Sequence, residues 1–269
     1  MKAINQRGMV LIGCGFMGKA LVEGWLASGV ESQAIHVQDP TPSDWLLAQT
    51  GFHLNQELPA NPAVLVIATK PQVLDAVLPP LARFGNGDTV VLTIATGAPL
   101  DYYASIFGAD TPVVRAMPNL PAAVGAGVTV FACNTNVSEA QNRLVAELFD
   151  AVGVGIALDD ESQMHAVTGI SGSGPAYVFA MAEAMTQAGE AMGLPRTLAT
   201  TLAVHTISGA GRMLRQTGSD AGDLRRAVTS KGGTTAEALK QLTAPGTGLA
   251  ELMAKASAAS RDRSIELSK

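Results

Sequence analysis

One eight-residue segment, Val228–Thr235, combines residue types that suit the binding of a small anion. It reads Val-Thr-Ser-Lys-Gly-Gly-Thr-Thr, so several hydroxyls flank a pair of glycines. Glycines let a backbone approach a ligand closely, and a helix predicted to begin near Thr234 presents free N–H groups to negative charge. The segment therefore predicts a site for the carboxylate of a small substrate.

A second motif lies near the start of the chain, where Gly13–Gly18 fits the pattern G-x-G-x-x-G. It follows the apolar run Met9–Ile12 and precedes a helical stretch near Lys19, the context of a dinucleotide-binding fingerprint. An ordinary glycine-rich turn is the alternative. The cofactor contacts that the motif predicts are Gly13, Gly15, Phe16, Met17 and Gly18.

Asp39 ends the second predicted strand, where a carboxylate can bind the hydroxyls of the adenosine ribose and repel a 2′-phosphate. No arginine or lysine occurs between Lys19 and Lys70 to neutralise such a phosphate. We therefore predict NADPH or NADH as the cofactor, with a preference for NADH. The alternative is that Asp39, which precedes Pro40, is a turn residue.

Other candidates also follow apolar runs, at the edge where open α/β sheets bind ligands. Lys70 could contact the cofactor or be a solvated lysine at a strand end. Asn119 could place an amide beside the nicotinamide or the substrate, although asparagine is common before turns. The remaining cofactor candidates at this edge are Ala68, Pro71 and Ala95.

The order of elements predicts two domains in an α/β fold. Runs typical of strands alternate with helical or turn-rich segments in the first half, at Met9–Ile12, Ile35–Gln38, Val64–Ala68, Val90–Ile94, Val113–Arg115 and Gly127–Phe131. Helix candidates then follow, at Ser138–Ala151, Pro175–Met192, Pro195–Gln216, Gly222–Thr229, Thr235–Leu242 and Gly248–Leu267. We predict a Rossmann-type dinucleotide-binding domain over residues 1–155 and an all-helical domain for substrate binding and dimerisation over residues 156–269.

Composition excludes several other classes of protein. The 269 residues are 47% apolar and 15% charged with a net charge of −5, which predicts a folded core and neither a nucleic-acid nor a membrane partner. Cys14 and Cys133 lack the spacing of a zinc site or a disulfide framework, and the four histidines form no metal motif, so no metal is expected. The apolar run before Cys14 is too short for an export signal, which predicts a cytoplasmic protein.

Five segments together resemble the pyrroline-5-carboxylate reductase family, which reduces a cyclic imine to proline in the last step of proline synthesis. They are Gly13–Gly18, Ala68–Pro71, Arg115–Asn119, Gly172–Tyr177 and Val228–Thr235. The resemblance implies that Thr235 faces the imine nitrogen and acts in catalysis. It implies that the substrate contacts are Ser230, Gly232, Gly233, Thr234 and Glu161.

The resemblance also implies a homodimer formed through the helical domain, with larger rings of dimers in some members. Two residues depart from the family pattern: Leu120 replaces a common threonine, and Lys231 replaces a frequent proline. Thr234 with Glu237 also matches a capping box, which would occupy the Thr234 side chain without a ligand.

Three other functions are alternatives from the sequence. A β-hydroxyacid dehydrogenase would share the glycine fingerprint, but it relies on an interdomain lysine, and no lysine occurs between Lys70 and Lys231. The second alternative is a catalytically silent dinucleotide-binding protein, and the third is a reductase that acts on another small carboxylate.

Overall fold

A central sheet forms the first part of the molecule in the computed structural model, which describes residues 1–268. Its eight strands are β1 Met9–Ile12, β2 Ile35–Gln38, β3 His53–Leu54, β4 Val64–Ile67, β5 Val90–Thr93, β6 Val113–Met117, β7 Gly127–Cys133 and β8 Gly153–Leu158. Their order across the sheet is β3-β2-β1-β4-β5-β6-β7-β8. All neighbours run parallel except β6 and β7, which are antiparallel.

Helices cover both faces of this sheet, and after β8 the chain forms only helices and turns. They are α1 Lys2–Arg7, α2 Phe16–Ala27, α3 Asp44–Leu47, α4 Leu74–Val77, α5 Leu100–Phe107, α6 Glu139–Asp150, α7 Met164–Val167, α8 Gly174–Ala191, α9 Arg196–Thr217, α10 Ala221–Ala227, α11 Thr234–Leu242 and α12 Leu249–Glu266. No helix in the described residues is both long enough and apolar enough to cross a bilayer.

Two apolar cores lie on the two faces of the sheet because successive strand residues point to opposite sides. Met9 and Leu11 of β1 join the core that contains Trp25, whereas Val10 and Ile12 join the core that contains Tyr103. All four β1 residues are buried, as are those of β4 and β5. Such doubly buried strands appear in the sequence as continuous apolar runs, and this is why those runs predicted them.

Contacts divide the chain into two compact units. The first holds Met1–Gly172 together with the described residues from Ser260 onward, and the second is Ser173–Ala259. The first contains the sheet, and the second is helical. The predicted fold class, a Rossmann-type region followed by a helical one, is confirmed.

The prediction contained none of α1, β3, α7 and β8, and it gave no bounds for the helices α3, α4 and α5 that lie between strands. β8 has the sequence Gly-Val-Gly-Ile-Ala-Leu and lies at the sheet edge, where it is only partly buried, so its glycines conceal the strand signal. The predicted domain boundary after residue 155 falls inside this strand, and the compact units divide later, between Gly172 and Ser173.

Candidate functional site

The predicted cofactor residues gather at one edge of the sheet. Because β1, β2, β4, β5 and β6 are parallel neighbours, their carboxyl ends meet at that edge. Each strand is followed within two residues by one candidate: Gly13 after β1, Asp39 after β2, Ala68 after β4, Ala95 after β5 and Asn119 after β6.

The glycine motif forms a tight turn between β1 and α2. Gly13 has a φ of 82° and donates to the Gln38 carbonyl at 2.8 Å, and a side chain on it would meet Thr69 and Ala68. A side chain on Gly18 would lie 3.1 Å from the Gly13 carbonyl oxygen, so a larger residue would push α2 away from this turn.

Gly15 is different, because a side chain on it would meet no atom within 4 Å. It precedes α2, which has no side-chain cap, so no side chain bonds the first N–H groups of that helix. Phe16 is largely exposed, while Met17 packs against the core. This arrangement leaves room and donors for a pyrophosphate.

A cavity of about 420 Å³ adjoins the turn. Its apolar walls include Ile12, Pro40, Val73 and Val77, and the buried Thr69 hydroxyl at its rim has no hydrogen-bond partner. Apolar walls with a few polar groups are typical of a ligand pocket. The residues therefore fit the adenosine half of a dinucleotide.

Asp39 lines this cavity, yet it is only 8% exposed. Its Oδ2 accepts the Cys14 N–H at 2.7 Å, and its Oδ1 accepts the Thr41 N–H at 2.8 Å. The side chain of Asn55 bonds both the N–H and the carbonyl of Asp39, at 2.9 and 2.8 Å. Asp39 thus anchors the glycine turn, a role that the sequence analysis did not identify.

Cys14 illustrates the electrostatics of this turn. Burial raises the pKa of its thiol to about 12, and the nearby Asp39 carboxylate adds to that shift. Both effects disfavour the thiolate.

Asn119 is also tied to the backbone. Its Oδ1 accepts the Val128 N–H at 2.9 Å, and its Nδ2 donates to the Ser171 carbonyl at 3.1 Å. The side chain therefore joins β6 to β7 and to the π-helical turn Thr168–Gly172. Its predicted contact with the nicotinamide or substrate stays a prediction.

Lys70 and Pro71 follow β4 at the same edge. Lys70 is exposed and precedes the 3₁₀ turn Pro71–Val73, in which Pro71 takes the first position. An exposed ammonium at this edge is available to a phosphate.

Glu161 lies in the first unit, where its partly exposed carboxylate contacts a buried arginine. Its Oε1 accepts from Arg115 Nη1 at 2.6 Å and from the Leu100 N–H at 3.0 Å. Arg115 is only 3% exposed, and its Nη2 has no partner. His165 lies near the pair, where burial and then the Arg115 charge lower its pKa. Arg115 was visible only as part of a family motif, since no spacing in the sequence predicts its ion pair.

The glycine-threonine segment lies in the second unit as a turn that leads into α11. The Gly233 N–H donates to the Ser230 carbonyl at 3.0 Å, and Gly232 has a φ of 72°. Lys231 is not among the residues with positive φ, so Ser230–Gly233 is a type II turn. A side chain on Gly233 would collide with the Ser230 hydroxyl.

The capping-box interpretation of Thr234 is wrong. Gly233 occupies the N-cap position of α11, and no side chain caps the helix. Thr234 is instead the first helical residue and Thr235 the second, because the chain enters the helix one residue earlier than the box requires. The first N–H groups of α11 are therefore left for a ligand.

The four histidines do not gather with other ligand types. Within residues 1–268, no group of three or more histidine, cysteine, aspartate or glutamate side chains could hold a metal ion.

Comparisons with known proteins identify the family. The model for pyrroline-5-carboxylate reductase dimerisation matches residues 161–267, and the model for coenzyme F420-dependent NADP oxidoreductases matches residues 9–97. The pyrroline-5-carboxylate reductase of Pseudomonas aeruginosa is 38% identical over 264 residues, which cover 96% of each chain. That of Escherichia coli is 37% identical over 241 residues, covering 87% of this chain and 89% of the other.

Solved structures agree. The pyrroline-5-carboxylate reductase of Coxiella burnetii superposes with a TM-score of 0.91 and 34% identity, over 98% of this chain and 100% of the other. The Plasmodium falciparum pyrroline carboxylate reductase with NADP bound gives 0.85 and 25%, over 98% and 99%. The glycine turn before α2, the turn Ser230–Gly233 before α11 and the similarity to these relatives agree. The chain belongs to the pyrroline-5-carboxylate reductase family.

Proposed function

We propose that this protein reduces 1-pyrroline-5-carboxylate to L-proline, the final step of proline biosynthesis. It is an NAD(P)H-dependent oxidoreductase. The observation that carries the choice of substrate is the type II turn at Ser230–Gly233 followed by the uncapped start of α11, whose first N–H groups suit a carboxylate.

The reaction adds a hydride to the imine carbon and a proton to the ring nitrogen, so that the C=N bond becomes a C–H and an N–H bond. The reduced nicotinamide, when bound, supplies the hydride. The glycine turn that precedes α2 binds the pyrophosphate, and Asp39 holds that turn in shape through the Cys14 N–H. Lys70 adds a positive charge at the same edge of the sheet.

Ser230, Gly232, Gly233 and Thr234 bind the substrate carboxylate, and Thr235 orients the ring nitrogen. A threonine hydroxyl can hydrogen-bond the nitrogen or relay a proton without titrating itself. Catalysis then depends on positioning, which contributes up to roughly 7–11 kcal/mol in favourable intramolecular reactions. The preference for NADH stays a prediction.

The first experiment supplies the purified protein with 1-pyrroline-5-carboxylate, follows oxidation of NADH and of NADPH in parallel, and identifies the product. Formation of proline supports the proposal. Cofactor binding without turnover would favour the silent binding protein, and turnover of another imine alone would change the substrate.

The matched variants are Thr235→Ala and Thr235→Ser. The alanine variant loses the hydroxyl, so we expect kcat to fall by about tenfold or more, whereas serine retains most of it. Unchanged kinetics in the alanine variant would remove Thr235 from the mechanism.

The family model that describes a dimerisation region supports a homo-oligomer, and we propose a homodimer formed through the helical unit, with a ring of dimers as a larger form. Large apolar side chains are exposed on α8 and α9, namely Val178, Phe179, Met181, Leu202, Val204 and Met213. Exposed apolar surface of this kind is typical of an interface. Sedimentation that gives a stable monomer would contradict the dimer.

We also propose that the protein works in the cytoplasm, with a small-molecule substrate and neither a nucleic-acid nor a membrane partner. Its net charge of −5 supports the last two points. Fractionation of cells that express the tagged protein tests the location.

A further inference from the structure

We propose that Glu161 is a positioning residue that, together with Arg115, holds the loop between β5 and α5 in place at the cofactor edge of the sheet. This β5–α5 loop comprises residues 94–99. The inference rests on the proposed reductase function, because the loop carries Ala95, a predicted cofactor contact. It gives Glu161 a role other than direct contact with substrate.

The far end of the loop is tied by Glu161 itself. Pro99 precedes α5 without a side-chain cap, and the first helical N–H, that of Leu100, donates to Glu161 Oε1 at 3.0 Å. The same oxygen accepts from Arg115 Nη1 at 2.6 Å. A carboxylate from a distant segment thus caps α5 and links it to β6. A negative charge at a helix N-terminus is favourable because it interacts with the helix dipole.

The near end of the loop is tied by a second buried set of groups. The Ala95 N–H donates to Thr93 Oγ1 at 3.2 Å, and that hydroxyl donates to the Tyr103 phenol oxygen at 2.8 Å. Tyr103 belongs to α5, so the hydrogen bonds at both ends of the loop involve this helix. We call these two sets of hydrogen bonds the two tethers. Thr93 pairs with Arg115 in the sheet register, which brings the two tethers side by side.

The ion pair of Arg115 with Glu161 itself needs an explanation. Arg115 lies 3% exposed within an otherwise apolar strand, and Glu161 is its one ion-pair partner among the described residues. A buried ion pair is weak evidence for stability, because apolar replacements are often as stable. The additional bond to Leu100 points instead to a role in fixing the backbone of the β5–α5 loop.

The test compares ligands with and without the nicotinamide end. Equilibrium titrations measure the binding of NADH and NADPH, and of ADP-ribose and its 2′-phosphate, to Glu161→Ala and Glu161→Gln. For Glu161→Ala we expect the affinity for NADH and NADPH to fall by about tenfold, the equivalent of one charge-assisted hydrogen bond, and that for the fragments by less than about twofold. Glutamine keeps an acceptor for Leu100, so Glu161→Gln restores part of the affinity.

Glu147→Ala is the matched control, because Glu147 forms an exposed ion pair with the N-terminal amine and lies in the same unit. It should change neither class of ligand. Unfolding midpoints of all variants are measured beside the titrations. If Glu161→Ala does not fold, Tyr103→Phe replaces it, since this variant loses the phenol of the other tether and should show the same selective loss at smaller size.

Equal losses for dinucleotides and fragments, or no loss of either, would overturn the inference. A rise in the KM for 1-pyrroline-5-carboxylate alone would also overturn it and return Glu161 to the substrate site. A selective loss in a protein that does not reduce this imine would support the tether while contradicting the proposed function.

Discussion

Asp39 offers a sharp test, because its two roles predict different results. If it mainly binds the ribose, its removal changes the choice between NADH and NADPH. Its bonds to Cys14 and Thr41 indicate that it mainly anchors the glycine turn. In that case its removal lowers the affinity for both cofactors and also lowers the stability of the fold. The perturbation is Asp39→Ala.

The magnitude follows from the two hydrogen bonds. The Cys14 N–H is buried with its residue and loses a carboxylate acceptor, a loss of about 1.5–3 kcal/mol for a hydrogen bond to a charged group. The Thr41 N–H lies in a partly exposed loop and can bind water, so it adds about 0–1 kcal/mol. We expect the free energy of unfolding to fall by about 1.5–4 kcal/mol in total.

Urea unfolding measures the stability, and titration with NADH and NADPH measures the two affinities. Asp39→Asn keeps one acceptor oxygen and should lie between the wild type and the alanine variant. Asp44→Ala is the control, because Asp44 is exposed in the first turn of α3 and should change stability by less than about 1 kcal/mol.

A stability loss below about 0.5 kcal/mol, the range of ordinary surface substitutions, would refute the anchoring argument. A shift of preference toward NADPH without such a loss would show that Asp39 acts mainly on the ribose. Equal weakening of both cofactors would leave the predicted NADH preference without support from this residue.

Three further predictions concern other parts of the chain. Lys231→Pro places proline at the second position of the type II turn, where proline already favours the required backbone conformation. The free energy of unfolding should therefore rise by about 0.4–1 kcal/mol in urea titrations, and a decrease would contradict the turn assignment. Ser138→Ala removes a capping box from α6 and should cost about 0.5–2 kcal/mol by the same assay, whereas an unchanged midpoint would show that the cap contributes nothing. Burial raises the pKa of Cys14 to about 12 and that of Cys133 to about 11. A maleimide at pH 8 should therefore label neither thiol until urea unfolds the protein. Rapid labelling of the native protein would refute the burial argument.

Several of the strands that the sequence predicted are buried on both faces. β1 begins and ends at the predicted residues, because a continuous apolar run is stable at the centre of a covered sheet. β2 also has the predicted bounds, although only its alternate residues Ile35 and Val37 are buried. β8 was missed because an edge strand with two glycines carries little of that signal. The helix predicted over Ser138–Ala151 forms as α6, and its capping box joins Ser138 to Gln141, so this cap needs no distant partner.

The amino-acid sequence by itself determined the α/β class, the glycine turn, the α11 turn and the family, since each depends on residues that are neighbours along the chain. Only the tertiary structure decided what the polar side chains at the sheet edge bind. Asp39 reaches back to Cys14, Glu161 to Arg115 and Leu100, and Asn119 to Val128 and Ser171. Partners separated by 9 to 61 positions leave no periodic pattern in the sequence, because they meet only when the folded chain brings distant segments together.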